Sequence, residues 1–340
     1  MRTSTSSKLA VSDIGLGCMG MSEFYGAIDE TAAEQTLEAA IALGVTLFDT
    51  ADAYGFGHNE RLVGKILARS PHRENLVLAT KCGVVRDENQ PTLRLINNDP
   101  AYILDACERS LERLGTCIDL YYLHRIANGG SQIEASMEAM FTLLQEGKIK
   151  HVGLSEPNTD QIRRAHSTLL DLTGGRQGLA AVQTEYSMMS RGPEQDGTLA
   201  LCRELGILFV AYSPISRGLL TGSISSTDSM QDDDFRKALP RFQGDNMVCN
   251  LELVQTLTGF AQARDMTLAQ LSLAWLLARA PHVVPIPGTK RTSYLTQNMA
   301  TLKHVLSPDD LLELEDMLEA HPTQGLRYPA AAMQAYNLTS

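Results

Sequence analysis

Leu47-Phe48-Asp49-Thr50-Ala51-Asp52-Ala53-Tyr54-Gly55 is a stretch in which strand-forming residues give way to small ones and end at a tyrosine beside a glycine. The apolar run from Val45 to Phe48 is short enough for a buried parallel strand, yet it delivers Asp49 where a core strand continues with Val or Ile. Aspartate is poorly suited to a strand interior and costly to bury unpaired. The stretch by itself allows two readings: a strand that stops at a working surface, or a turn acid that caps the next loop. Residues elsewhere in the chain decide between them.

Outward from this point the chain alternates short apolar runs with amphipathic helices. Beside the runs at Ile14 and Val45 stand residues 76–80, 118–123, 149–154, 179–182, 207–211 and 283–286. The spacing predicts a helix over 101–114, with Ile103, Cys107, Leu111 and Leu114 on one face. It predicts another over 132–146, with Ile133, Met137, Met140, Phe141 and Leu144. Asp99-Pro100 is a fitting cap and first-turn pair for the former. Strand-like runs that alternate with helices specify parallel pairing with right-handed crossovers. The expected architecture is therefore α/β, a closed (β/α)8 TIM barrel in a single domain over residues 1–340. Asp49 and Lys81, Ser155 and Gln183, and Gln183 and Tyr212 are each separated by roughly 30 residues, one βα unit.

Gly15-Leu16-Gly17-Cys18-Met19-Gly20 matches GxGxxG, a pattern that holds pyrophosphate when a helix opens directly behind it. Here the following residues, Met21 to Asp29, include Gly26 and carry no helical stripe. The first good helix start is Asp29, with Thr31 and Glu34 in capping-box spacing. The motif thus reads as a first barrel strand with its glycine-rich loop.

A net charge of -11 and a pI near 5.2 disfavour nucleic acid or an anionic membrane as the main partner, so any anion must meet a local basic site. Hydrophobic content of 44% and charged content of 20% are ordinary for a globular enzyme. The six cysteines are scattered, with neither CxxC nor a His/Cys cluster at metal-ligand spacing, so no metal is expected. Met1 to Lys8 is followed by no apolar h-region and no stretch approaches about 18 uninterrupted apolar residues, so neither secretion nor a membrane span is expected. A cytoplasmic protein acting on small molecules is expected, as a monomer or a homo-oligomer.

Two segments break the rhythm. Residues 216–250 form a long loop with Ser225-Ser226-Thr227-Asp228-Ser229 and Asp232-Asp233-Asp234, and residues 322–340 form a tail with Tyr328-Pro329. Either both are solvated surface or both fold over the mouth of the barrel.

Barrel active sites are built at the C-terminal ends of the strands. Asp49, Lys81 after 76–80, and His124 after 118–123 stand there, with Tyr54 just beyond Asp49. Singly, Lys81 reads as a surface lysine and His124 as a core histidine; together with Tyr54 they make a proton-donor site. A phenol is a poor acid at neutral pH, and a neighbouring ammonium such as Lys81 lowers its pKa by favouring phenolate. Asp49 can serve as the counter-ion of Lys81, and His124 can orient a carbonyl oxygen or relay a proton. That set suits protonation of a carbonyl oxygen as hydride arrives at carbon.

The chain resembles the aldo-keto reductases over nearly its whole length. The resemblance rests on the stretch from Asp49 to Gly55, Ala79-Thr80-Lys81, Tyr121-Tyr122-Leu123-His124, Val152-Gly153-Leu154-Ser155, Val182-Gln183, Ala211-Tyr212-Ser213-Pro214 and Ile286-Pro287-Gly288-Thr289-Lys290-Arg291. It implies a catalytic tetrad of Asp49, Tyr54, Lys81 and His124, with Tyr54 as the acid, and NADPH/NADP+ bound in extended form without a Rossmann domain. It further implies that Ser155 and Gln183 hold the carboxamide and that Tyr212 stacks on the nicotinamide ring. Ser213, Pro214, Ile215, Ser216, Gly218 and Leu220 would line the pyrophosphate. In the same mapping Gly288 and Thr289 lead into Lys290 and Arg291 at the 2′-phosphate, with Gln297 and Asn298 near adenosine. The substrate class implied is a small carbonyl or alcohol.

Two positions depart from the family pattern. Glu156 follows Ser155 where many members have Asn, and Leu123 stands where this branch often carries Gln, which bears on the pocket floor. The potassium-channel β-subunits supply an alternative, a cofactor-sensing regulatory protein on the same fold. A Rossmann dehydrogenase built on Gly15 to Gly20 would leave Lys290-Arg291 and the late strands unexplained.

Overall fold

The computed structural model describes residues 1–25, 29–228, 230–232 and 234–335. Gly26, Ser229, Asp233 and the tail beyond 335, on which expectations were placed above, lie outside them.

Eight parallel strands follow in chain order: β1 (Leu16–Gly17), β2 (Leu47–Asp49), β3 (Val77–Cys82), β4 (Ile118–Leu123), β5 (Ile149–Ser155), β6 (Ala181–Glu185), β7 (Leu208–Tyr212) and β8 (Val283–Pro285). Each pairs with its neighbours in sequence. β1 returns to the end of β8 through a parallel bridge between Gly17 and Gly288 and a 3.0 Å bond from the Gly15 N–H to the Pro285 carbonyl. The sheet is thereby closed into a (β/α)8 barrel.

That closure explains the glycines of the GxGxxG match. A Cβ on Gly15 would sit 2.9 Å from Ile286 Cγ2, and one on Gly17 would sit 2.9 Å from the Ile286 carbonyl. The seam between first and last strand is too close for side chains, and among the described residues only a 3-10 turn, Met19–Met21, follows before Asp29.

The outer layer comprises α1 (Glu30–Ala42), α2 (His58–Leu67), α3 (Pro100–Leu114), α4 (Ile133–Gln145), α5 (Thr159–Leu172), α6 (Thr198–Leu205), α7 (Gly244–Gln262), α8 (Leu268–Arg279) and α9 (Thr292–Ala300). Asp99 caps α3 by accepting from the Ala101 N–H, Pro100 opens it, and Gly115 ends it in the left-handed conformation. α1 departs from the expected box. Asp29 alone caps it, because Thr31 already lies within the helix and Glu34 is paired with Lys65 at 2.5 Å.

Side chains divide by the two-residue period of the strands. Leu47, Val77, Ala79, Leu120, Tyr122 and Val210 belong to a buried cluster inside the barrel, whereas Phe48, Leu78, Tyr121, Leu123 and Phe209 pack outward under the helices. Leu123 therefore lies in the helix-facing core and does not form the pocket floor. Each of these buried Leu, Val and Phe side chains contributes about 1.5–3 kcal/mol.

Other differences concern boundaries and two hairpins. The first strand starts at Leu16, two residues after Ile14, and β3 runs through Lys81 to Cys82. α7 begins at Gly244, so the long segment after β7 is shorter than 216–250. An antiparallel pair, Arg2–Thr3 with Ala10–Val11, brings Leu9 and Val11 into the inner cluster and closes the N-terminal end of the barrel. A second hairpin, Val84–Asp87 with Gln90–Ile96, follows β3.

Candidate active site

Strand periodicity also aims the polar residues. Counting inward positions, Leu47 leads to Asp49, Val77 and Ala79 lead to Lys81, and Leu120 and Tyr122 lead to His124, all at the C-terminal mouth. Lys81 Nζ donates to Asp49 Oδ1 at 2.5 Å and to the Thr50 carbonyl at 2.8 Å, and it lies 3.5 Å from the Tyr54 hydroxyl. Tyr54 opens a 3-10 turn just past β2, with its ring centroid 5.1 Å from Lys81 Nζ. The His124 ring stands nearly perpendicular to it, 5.6 Å between centroids and 85° between planes. The reading of Asp49 as a turn acid is excluded by its place at the end of a closed barrel strand, bonded to a fully buried lysine.

Electrostatics in this cluster are governed by burial. Burial draws Lys81 below its ordinary pKa while Asp49 opposes the shift. Burial, then Lys81 and Arg125, hold His124 well below the usual histidine range, so its imidazole is neutral at physiological pH. Tyr54 differs from expectation. Burial and then Asp49 raise it well above the ordinary phenol value, and the cation that acts against them is Arg125. Lys81, 3.5 Å from the hydroxyl, is itself engaged by Asp49 and Thr50. Tyr54 is thus held protonated, the state a proton donor needs.

The cofactor residues expected from the sequence fall into three groups. Gln183 joins the Asp49–Lys81 pair directly, its amide donating to Asp49 Oδ2 at 2.7 Å. Ser155 Oγ accepts from Arg125 at 3.2 Å, and the Tyr212 hydroxyl donates to Glu156 at 2.6 Å. After β7 the backbone of Ser213, Ser216 and Arg217 adopts positive φ values of 49°, 46° and 55°, and Gly218 follows at 100°. Pro214 and Leu220 are buried and Ile215 is half-buried along this loop. The third group lies beyond β8. Lys290 donates to the Tyr25 carbonyl at 2.8 Å, the Arg291 guanidinium lies 5.6 Å from the Tyr294 ring centroid, and Thr289 Oγ1 accepts from the Arg291 N–H at 3.1 Å. Gly288 stands at the barrel seam, Asn298 is buried in α9, and Gln297 is half-buried beside it.

Sequence reasoning missed a set of guanidinium groups at the mouth. Arg125 donates to the His124 carbonyl and to Ser155. Arg217 pairs with Glu185 at 2.8 Å, Arg241 bonds Ser190 at 2.6 Å, and Arg327 clasps Glu156. The pairs His124-Arg125 and Arg327-Tyr328 were visible as residues, but nothing in their spacing marked them as neighbours. Among the described residues no group of three or more His, Cys, Asp or Glu could hold a metal ion, and no helix is long and apolar enough to cross a membrane.

A model of the aldo/keto reductase family matches residues 13–319. The chain belongs to the aldo/keto reductase family. It is 42% identical over 322 residues to the aldo-keto reductase yakc [NADP(+)] of Schizosaccharomyces pombe, covering 94% of this chain and 92% of that protein. Among solved structures, this aldo/keto reductase is similar to a glycerol dehydrogenase from Gluconobacter oxydans, with TM-score 0.82 at 26% identity over 96% of this chain and 97% of the other. A Klebsiella pneumoniae aldo/keto reductase in complex with NADP and acetate aligns with TM-score 0.69 at 28% identity, over 96% and 98% of the two chains.

Proposed function

We propose that this aldo/keto reductase reversibly reduces aldehydes or ketones to alcohols, with NADPH as cofactor and Tyr54 as general acid. The observation that carries the reading is the buried cluster in which Lys81 bridges Asp49 and the Tyr54 hydroxyl while His124 faces the same phenol. Bound cofactor supplies the hydride. The residues present fit a dinucleotide: an inward-facing amide and hydroxyl at Gln183 and Ser155, a positive-φ loop at 213–218, and two cations at Lys290 and Arg291. Relatives point the same way, since NADP appears in the name of the yeast relative and in the Klebsiella complex.

In this reading Tyr54 hands its proton to the substrate oxygen as negative charge develops there. Lys81, held by Asp49 and Thr50, stabilises the phenolate left behind, which is the moment its charge acts on Tyr54. Neutral His124 orients the carbonyl oxygen by donating a ring N–H. Ser155 and Gln183 hold the carboxamide, and Tyr212 presents its ring to the nicotinamide. The described residues of the loop from 216 and of the tail from Pro322 cover the mouth, supported by the edge-on packing of Phe235 against Tyr25 at 5.4 Å and the Arg217 contact with the Tyr328 ring at 4.7 Å. The regulatory alternative has no observation of its own in the structure. Purified protein consuming NADPH with any member of a panel of aldehydes, ketones and sugars is the expected result; no turnover across the panel would sink the proposal.

A further inference from the structure

Glu156 takes no part in the tetrad, yet its side chain is among the most tightly bound at the mouth. It follows Ser155 at the end of β5 with φ of 54°, a left-handed conformation that costs free energy in a residue other than glycine. Arg327 Nη1 donates to Oε1 at 2.9 Å and Nη2 to Oε2 at 3.1 Å, the Tyr212 hydroxyl donates to Oε1 at 2.6 Å, and the Glu185 N–H donates to Oε1 at 3.1 Å. The Arg327 and Glu156 side chains are only 4% and 5% exposed. One carboxylate therefore joins the C-terminal tail to the aromatic residue of β7.

We propose that Glu156 is a positioning residue that fixes the Tyr212 ring through its hydroxyl and couples that ring to docking of the C-terminal tail through Arg327. The inference rests on the reading above that Tyr212 presents its face to the nicotinamide.

Three features support coupling over a simple latch. Arg327 and Tyr212 share the same oxygen, Oε1, so withdrawing the guanidinium strips Oε2 of its donor and leaves the carboxylate held at Oε1 alone, by the hydroxyl and the Glu185 N–H. Tyr328, next in the tail, brings its hydroxyl to 3.4 Å from that of Tyr212, a second contact on the same atom. Glu185, which fixes Glu156 through its N–H, also pairs with Arg217 at 2.8 Å and approaches Arg327 at 3.9 Å, so the tail docks on a fixed frame of charge. Tail docking is held by charge-assisted bonds, which define geometry more sharply than apolar contact.

Coupling between two events is reciprocal: if the docked tail tightens cofactor binding by some factor, cofactor must tighten tail docking by the same factor. A latch that only stabilises the fold obeys no such relation. The experiment uses the full chain and reads two quantities: Kd for NADPH by fluorescence quenching, and thermolysin cleavage of the 322–335 segment with and without NADPH. Arg327→Ala should raise Kd about tenfold and abolish NADPH protection of the tail. Glu156→Gln, which is isosteric and keeps an acceptor for Tyr212, should give a smaller rise in the same direction. Arg327→Ala should add little to Tyr212→Phe, because the hydroxyl through which it acts is already gone. Wild-type Kd in both Arg327→Ala and Glu156→Gln, alongside a weakened Tyr212→Ala, would overturn the coupling while leaving the stacking reading intact. Unchanged Kd in Tyr212→Ala would overturn the stacking reading and the coupling with it.

Discussion

Lys81 Nζ lies 2.5 Å from Asp49 Oδ1, with side-chain exposures of 0% and 5%. A buried ion pair of this kind is weak evidence for net stability, but removing one partner strands the other charge. Asp49→Asn and Lys81→Met should each cost about 3–5 kcal/mol in urea unfolding, and both should lose activity. The double variant should be more stable than either single one and still inactive. Additive destabilisation in the double variant would show that the two charges do not depend on each other.

In the proposed function, cofactor choice is set beyond β8. Burial and then the neighbouring Arg291 lower the Lys290 pKa, so these cations disfavour one another until an anion arrives. The ribose 2′-phosphate is such an anion. NADPH should bind more tightly than NADH, and Arg291→Ala should weaken NADPH by about tenfold to a hundredfold while barely moving NADH. Titration of both cofactors by fluorescence quenching checks this, and an equal loss for both would show that Arg291 does not read the phosphate.

Asp52 predicts a pH dependence unrelated to catalysis. Among the described residues its buried Oδ1 has no hydrogen-bond partner, and burial, then Glu60, push its pKa from 3.8 up to about 8. Between those two values the folded state keeps a proton that the unfolded chain releases, so stability falls as pH rises through the window. A tenfold difference in proton affinity between the two states corresponds to about 1.4 kcal/mol. Asp52→Asn should flatten the dependence, gaining on the wild type by about 1 kcal/mol or more between pH 5 and pH 8 in urea unfolding. Parallel curves for the two proteins would contradict the assignment.

The barrel was legible because its signals are local. Each strand and each helix carries its own period, and the inward alternation that ends in Asp49, Lys81 and His124 can be counted along the sequence. What stayed hidden depends on long-range contact. Glu156 meets Arg327 across 171 residues, and Arg125 gains its meaning only from the residues around it in space. The raised pKa of Tyr54 is likewise a property of burial, which residue types alone do not give. The hairpin Val84–Asp87 with Gln90–Ile96 is a different case. Its Glu88-Asn89 turn is present in the sequence, but the hairpin is an insertion that lies outside the alternation of barrel strands and helices.

Tyr54→Phe is the most direct test, because it removes the acid and keeps the ring. With a carbonyl that the wild type reduces, measure kcat together with Kd for NADPH. The account predicts a fall in kcat of about 10²–10⁴-fold with cofactor affinity essentially unchanged. A variant that keeps near wild-type kcat would contradict it.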